Sequence, residues 1–229
     1  LRVYDARLLD CLSEAIPAQL DHFTPAGLTM LIKAFARLGH EGEAPLALMA
    51  GAAAERAEAF QTHQISNVLW ALAHLRALDL STARRLAAEM ERRPRLTEID
   101  LTQLCQTAMI LSLEHPGMPH GEALGVGARM LDAMIRAQRG IVAGSAAKAG
   151  ALDAEVAEML SLLRVDCRTR LVTEDGLMCI GLAVVHGGSR IAFEVESARN
   201  FMANDPNRPL GARLSRRELL RARGWEVVV

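Results

Sequence analysis

The chain has 229 residues, 26 Lys and Arg against 27 Asp and Glu, and only 3% aromatic residues in a sequence rich in Ala and Leu. That length holds one large domain or two small ones, and the composition favours packed helices over a sandwich or barrel. The balance of charge gives no global field for nucleic acid, no apolar run approaches the ~18 residues of a membrane span, and four cysteines without a CxxC pair argue against structural zinc.

Cys11, Cys105, Cys167 and Cys179 read as buried free thiols in a reducing compartment. The chain opens at Leu1 and stops on Val227-Val-Val229, so both ends read as trimmed and a targeting peptide would lie outside them.

A helix is expected over Leu8 to Gln19, and from Phe23 the chain begins to repeat itself. Phe23-Thr-Pro-Ala-Gly-Leu28 opens a segment to Leu38 that aligns with Phe60 to Leu75 and with Leu101 to Leu111, a period of 36 to 37 residues. Leu28, Ile65 and Leu101 share a register, as do Thr29, Ser66 and Thr102. Leu31, Val68 and Leu104 form a third column, and Leu38, Leu75 and Leu111 a fourth. Apolar residues at i, i+3 and i+4 make each copy an amphipathic helix. Second helices are expected from Pro45 to Ala59 and from Ser81 to Arg92, with Pro94 as a stop. Paired helices at this spacing predict an α-helical solenoid over residues 1–139, each unit burying its apolar face against its neighbours.

Two polar columns cross these first helices: Met30, Asn67 and Gln103, then Lys33, Trp70 and Gln106. Side chains at equivalent positions of successive helices are suited to reading RNA bases by stacking and edge hydrogen bonds. The plainer alternative is that they are ordinary surface positions, with Trp70 packed between repeats. The Glu114 to His120 stretch is a turn-rich break, and His115 and His120 lack a third ligand for a metal. One further helix is expected between Gly121 and Gln138. Residues 140–151 read as a flexible linker.

A helix from Leu152 to Leu163 follows, and then the period changes. Strands are expected at Asp166 to Thr173, Leu177 to Val185 and Arg190 to Glu196, a helix from Pro209 to Arg223 closed by Gly224, and a strand from Trp225 to Val229. This predicts a small α/β domain over residues 152–229. Its Val156-Ala-Glu-Met-Leu160, Asp175-Gly176, Arg190-Ile-Ala-Phe-Glu-Val-Glu196, Phe201, Asn207-Arg-Pro-Leu-Gly211 and Leu219-Leu-Arg-Ala-Arg-Gly-Trp-Glu-Val-Val228 resemble the RAP domain, a module similar to the PD-(D/E)xK nuclease fold. The usual final Pro-Tyr-x-x-Trp is missing. RAP domains commonly follow helical repeats of this length in Fas-activated kinase-like and octotricopeptide proteins. The resemblance therefore implies a mitochondrial protein, or alternatively a plastid one. It would act on organellar RNA in rRNA binding, processing, stability or ribosome assembly, with a ribosome component having ribonucleoprotein partners as one form of that role.

A nuclease of that fold holds a metal with one acid on its second strand and an acidic pair on its third. Glu194 and Glu196 suit the pair, since i and i+2 share a strand face. Gly181 stands where the single acid is usual, and Ser197 and Ala198 follow where a Lys is expected. Glu174 or Asp175 would have to swing in from a turn. Glu194 and Glu196 are therefore expected as a relic of a nuclease site, paired with Arg, with no catalytic residue, metal or cofactor assigned.

Between Arg199 and Arg223 seven Arg face only Asp205 and Glu218. Arg213, Arg217 and Arg221 fall on one helical stripe, flanked by Arg216 and Arg223, with Arg208 at the entrance. Guanidinium groups so arranged suit phosphate contacts. The plainer alternative, compatible with it, is that one or two of them neutralise Glu194, Glu196 or Glu218. Phosphate contact is favoured because the acids nearby are too few for the whole set. A non-catalytic RNA-binding protein is the leading expectation, with a metal-dependent RNA endonuclease and a protein scaffold as alternatives.

Overall fold

The computed structural model describes residues 2–40, 42–147 and 150–229. Among the described residues, ten α-helices and one four-stranded sheet make up the fold. The helices are α1 (Ala6–Gln19), α2 (Pro25–Leu38), α3 (Glu43–Glu55), α4 (Thr62–His74), α5 (Leu80–Glu91), α6 (Glu98–Glu114), α7 (His120–Leu124), α8 (Ala128–Ala146), α9 (Ala151–Leu162) and α10 (Gly211–Ala222). The strands are β1 (Arg168–Val172), β2 (Cys179–His186), β3 (Ser189–Phe193) and β4 (Glu226–Val228).

The repeat is visible in how the helices start. Thr24, at the N-cap of α2, accepts from the Gly27 N–H at 3.1 Å. At the equivalent place before α4, the Gln64 side chain accepts from the Gln61 N–H at 2.8 Å. Before α6, Thr97 and Asp100 bond reciprocally in a capping box. Each arrangement satisfies backbone donors that the first helical turn leaves unpaired.

A second repeated device was not anticipated. Arg56 donates to the Phe23 carbonyl, and Arg93, 37 positions on, donates to the Phe60 carbonyl, each at 3.1 Å. These guanidinium groups tie the end of one helical pair to the entry of the preceding first helix.

The helices stack as two rows. One is α1, α3, α5 and α7; the other is α2, α4, α6 and α8. Between the rows lie Leu28, Phe35, Met49, Ile65, Leu69, Leu86, Met90 and Leu104, all buried. At about 25 cal/mol per Å² of apolar area removed from water, such side chains each contribute about 1.5–3 kcal/mol.

The sheet order is β1-β2-β3-β4, antiparallel across the first two pairs and parallel between β3 and β4. The α/β module does not hang free of the helices. Helix α10 lies against α2, α4 and α6, and the sheet packs on α8 through β1 and β2. Leu177, Ile180, Ala183, Leu220 and Trp225 join the same continuous core as the repeat residues.

Close backbone approach makes this docking possible. Gly39 ends α2 in the left-handed conformation at φ 55°, and Gly211 begins α10 beside it. A Cβ on Gly211 would stand 2.2 Å from the Ala36 carbonyl oxygen. The first residues complete the closure: Asn204 exchanges hydrogen bonds with the Tyr4 backbone, and Arg2 donates to the Ala198 carbonyl at 2.7 Å.

The linker expected at 140–151 is corrected. Helix α8 continues to Ala146, because Met130, Met134, Ala137 and Val142 recur at helical spacing and are buried despite Gly140 and Gly144. Within that range, residues 148 and 149 lie outside the described residues. The single helix expected from Gly121 to Gln138 is also corrected, since it is interrupted between α7 and α8 where Gly125 turns left-handed at φ 64°. Only Cys105 of the four thiols is buried, and Cys11 is exposed, because helix α1 turns that position outward.

Candidate nucleic-acid interface

The two polar columns meet across adjacent helices. Gln103 donates to Asn67 at 3.1 Å, and the Trp70 indole N–H donates to Gln106 at 2.8 Å. Gln106 reaches Gln138 of α8 at 3.4 Å, and Gln138 donates to the Leu177 carbonyl of the module at 2.8 Å. Asn67, Trp70, Gln103 and Gln106 are half-buried, while Lys33 and Met30 are exposed and stand apart from this chain of contacts. Gln138 is the member of the row that the repeat alignment missed, since the spacing from Gln106 is 32 rather than 36.

The arginine stripe is not an open cationic row. Arg213 and Arg217 lie 3.7 Å and 3.4 Å from Glu196. Arg216 grips Glu194 through two bonds of 2.7 Å and 2.9 Å and also reaches the Cys179 carbonyl. Arg223 pairs with Asp175 at 2.7 Å. Arg208 stacks 3.4 Å over the Tyr4 ring and donates to the Gly39 carbonyl, which makes it a docking residue. Arg221 is exposed and, among the described residues, makes no ion pair. The expected phosphate-facing row is thus corrected: Arg213, Arg216 and Arg217 take Glu194 and Glu196, the acids that the sequence offers in its alternative, and Arg223 takes Asp175 from a turn distant in sequence.

Glu194 and Glu196 follow β3, and the Glu194 N–H continues the sheet by donating to the Val228 carbonyl at 2.9 Å. Their side chains are 6% and 5% exposed. Asp175 does not swing toward them; Thr173, the Leu177 N–H and Arg223 hold it, and these bonds outweigh burial to keep its pKa below the ordinary carboxylate value. Glu174 faces Arg190 at 3.2 Å.

One carboxylate was missed altogether. Asp153 of α9 covers Gly181, so close that a Cβ there would meet the carboxylate oxygens at 3.1 and 3.2 Å. Burial, then the neighbouring Glu194 charge, raises the Asp153 pKa, with Arg216 opposing. The absence of a side chain at Gly181 is what admits Asp153. Among the described residues, no group of three or more His, Cys, Asp or Glu is placed to hold a metal ion.

A cleft opens between the repeat row and the module, bounded by Trp70, His74, Gln106, Gln138, Arg216 and Leu219. His74 packs edge-on to Trp70, with centroids 4.2 Å apart, and its Nδ1 lies 2.8 Å from the Ser215 hydroxyl of α10. Its Nε2 is buried and, among the described residues, has no partner. Burial, with the nearby Arg76 charge, depresses the His74 pKa to about 4, so the ring is neutral at pH 7. Arg76 itself bridges Glu114 of α6 and Glu218 of α10. His120 bonds to Ser112 at 2.8 Å, while His115 caps α6, so the two belong to helix ends.

Among the described residues no helix is long and apolar enough to cross a membrane. No known family model matches the chain, and no relative was found among curated proteins.

Proposed function

We propose that this is a non-catalytic RNA-binding protein of an organelle, a helical-repeat platform joined to a RAP-like module of nuclease ancestry. The observation that carries this reading is the inter-helix row Asn67–Gln103 and Trp70–Gln106. Hydrogen bonds hold amide and aromatic side chains in register along the face that meets the module. Such groups suit base stacking and edge recognition. A place within a mitochondrial ribonucleoprotein, bound to rRNA, is the specific form favoured here.

Phosphate contact from α10 falls to Arg221, because Arg213, Arg216 and Arg217 are engaged with Glu194 and Glu196. The test is fluorescence anisotropy of labelled single-stranded RNA across a series of salt concentrations. Binding is expected to weaken with salt, and Arg221→Ala is expected to lower the log–log slope by about 1 while thermal stability holds. Absence of RNA binding even at low salt would remove this reading in favour of a protein scaffold.

One observation supports the endonuclease alternative: Asp153 supplies a carboxylate at Gly181, near Glu194. Against it stands the two-pronged grip of Arg216 on Glu194, which engages both carboxylate oxygens. Incubation with labelled RNA and Mg²⁺ or Mn²⁺ decides the matter, and intact RNA is the expected result.

A further inference from the structure

We infer that the cleft between Trp70, Gln106, Gln138 and Arg216 is a pocket for one unpaired, uncharged nucleobase, held between the repeats and the α/β module. It deepens the RNA reading, and the choice of an RNA base over other planar ligands rests on that reading.

The shape of the cleft comes first. A space of about 260 Å³ suits a single planar ring system rather than a strand. The Trp70 indole offers an aromatic wall, and Met109, Ile110 and Leu219 supply apolar surface. Stacking of a base on an aromatic side chain is tolerant of base identity, so the polar groups must read the edge.

Those groups retain unused hydrogen-bonding capacity of both kinds. Gln106 accepts from Trp70 through one oxygen lone pair, and its amide nitrogen has only the long 3.4 Å contact to Gln138. Gln138 donates one N–H to Leu177 and has a second. Arg216 engages Nε and Nη2 with Glu194 and the Cys179 carbonyl, and among the described residues Nη1 makes no hydrogen bond. His74 also lines the cleft. Donors and acceptors lining a largely apolar cleft match the amide-like edge of a base.

Charge decides which part of a nucleotide enters. Glu194 neutralises Arg216, and Asp153 adds a nearby carboxylate, so the cleft offers no surplus positive charge to a phosphate. The ring is therefore bound and its phosphates remain outside. A nucleoside and its 5′-monophosphate are expected to bind equally, a pattern opposite to that of a phosphate site.

The protein has two tryptophans. In a Trp225→Phe background Trp70 is the sole indole reporter. Its fluorescence is followed on titration with the four nucleosides, the four 5′-monophosphates and single-stranded hexanucleotides of each base. Saturable quenching by at least one base is expected, with affinity unchanged within about threefold by the free 5′-phosphate. Gln106→Leu is expected to weaken it about tenfold or more, since an unsatisfied base edge costs on the order of a hydrogen bond. Gln106→Glu provides a second variant should the first fail to fold; it keeps the acceptor and loses the amide donor, so altered base preference is expected.

No Trp70 response to any of the probes overturns the pocket, as does quenching that requires the phosphate. If anisotropy still reports RNA binding while Trp70 is silent, the pocket fails and the RNA reading survives. If nucleosides quench Trp70 but RNA does not bind, the cleft is a free-nucleoside site, and both the RNA reading and the assignment to an RNA base are overturned.

Discussion

Arg216 holds Glu194 by two parallel hydrogen bonds, Nε at 2.7 Å and Nη2 at 2.9 Å from opposite carboxylate oxygens. The sequence leads to an arginine partner for Glu194 but does not say which arginine, and it places Arg216 beside a stripe suited to phosphate. In space each answers the other. A paired, two-pronged contact of this kind is strong and geometrically specific.

Removing one partner is therefore expected to cost more than removing both. Glu194→Ala leaves a guanidinium that is 30% exposed without its acid, so about 2 kcal/mol is expected, below the figure for a fully buried pair. Melting should fall by about 4–8 °C in a chain of this length. The double variant Glu194→Ala/Arg216→Met is expected to recover part of that loss. A double variant less stable than Glu194→Ala would contradict this account.

Gly211→Ala tests the docking of module on repeats. The added Cβ would stand 2.2 Å from the Ala36 carbonyl oxygen, a backbone atom that cannot swing aside. A loss of about 1–3 kcal/mol is expected, as for other overpacked contacts. Limited proteolysis should find new cleavage near residues 198–210, where the module meets the first residues of the chain. Gly51→Ala, with open space around it, is the control and is expected to be silent or mildly stabilising.

His74 should make the protein less stable in acid. Its pKa is about 4 when folded against 6.5 as a free group, so between these values the unfolded chain binds a proton that the folded chain does not. Stability is full above pH 6.5 and declines as the pH falls toward 4, by up to about 3 kcal/mol from this group. His40 and His120 are also lowered, chiefly by burial, and act in the same direction. Urea melts at pH 7 and pH 5 measure the slope, and His74→Gln is expected to flatten it. An unchanged slope in that variant would mean that His74 is protonated in the folded protein.

The thiols should separate by reactivity. Burial, with the Asp175 charge adding to it, pushes the Cys105 thiol up to about 12, whereas Cys11 is exposed. Titration with a thiol reagent at pH 8 is expected to label Cys11 in the native protein and Cys105 only after denaturation. Rapid native labelling of Cys105, located by mass spectrometry, would show that α6 opens locally.

The helical layer was legible because each repeat carries its own evidence. Leu28 and Ile65 recur in register and are fully buried, and the structure adds recurring caps at Thr24, Gln61 and Thr97 that the sequence reading did not use. Amphipathic spacing and capping are local properties, decided within a few turns of the chain. The same local reading misjudged residues 140–146, where glycine and alanine suggested flexibility while Val142 was buried against partners elsewhere in the chain. It also missed Arg56 and Arg93, whose 37-residue spacing was available but whose backbone targets were not.

The candidate site was legible only as an inventory. Trp70, Gln103 and Gln106 could be selected by their columns, and Glu194, Glu196 and the arginines by residue type. Arginine partners for the two glutamates could be expected, but not which arginine meets which acid, because charge pairing depends on distances between segments that sequence order does not encode. Asp153 closes over Gly181 from another element, and Gln138 joins the polar row four residues out of period.

Periodic burial and helix caps thus specify the elements and their repetition from the chain alone. Tertiary packing decides which arginines remain free, where the module docks and which carboxylate stands at Gly181. The division follows from range. Backbone hydrogen bonds and apolar periodicity act over a few residues, while ion pairs and clefts are set by where distant surfaces come to rest.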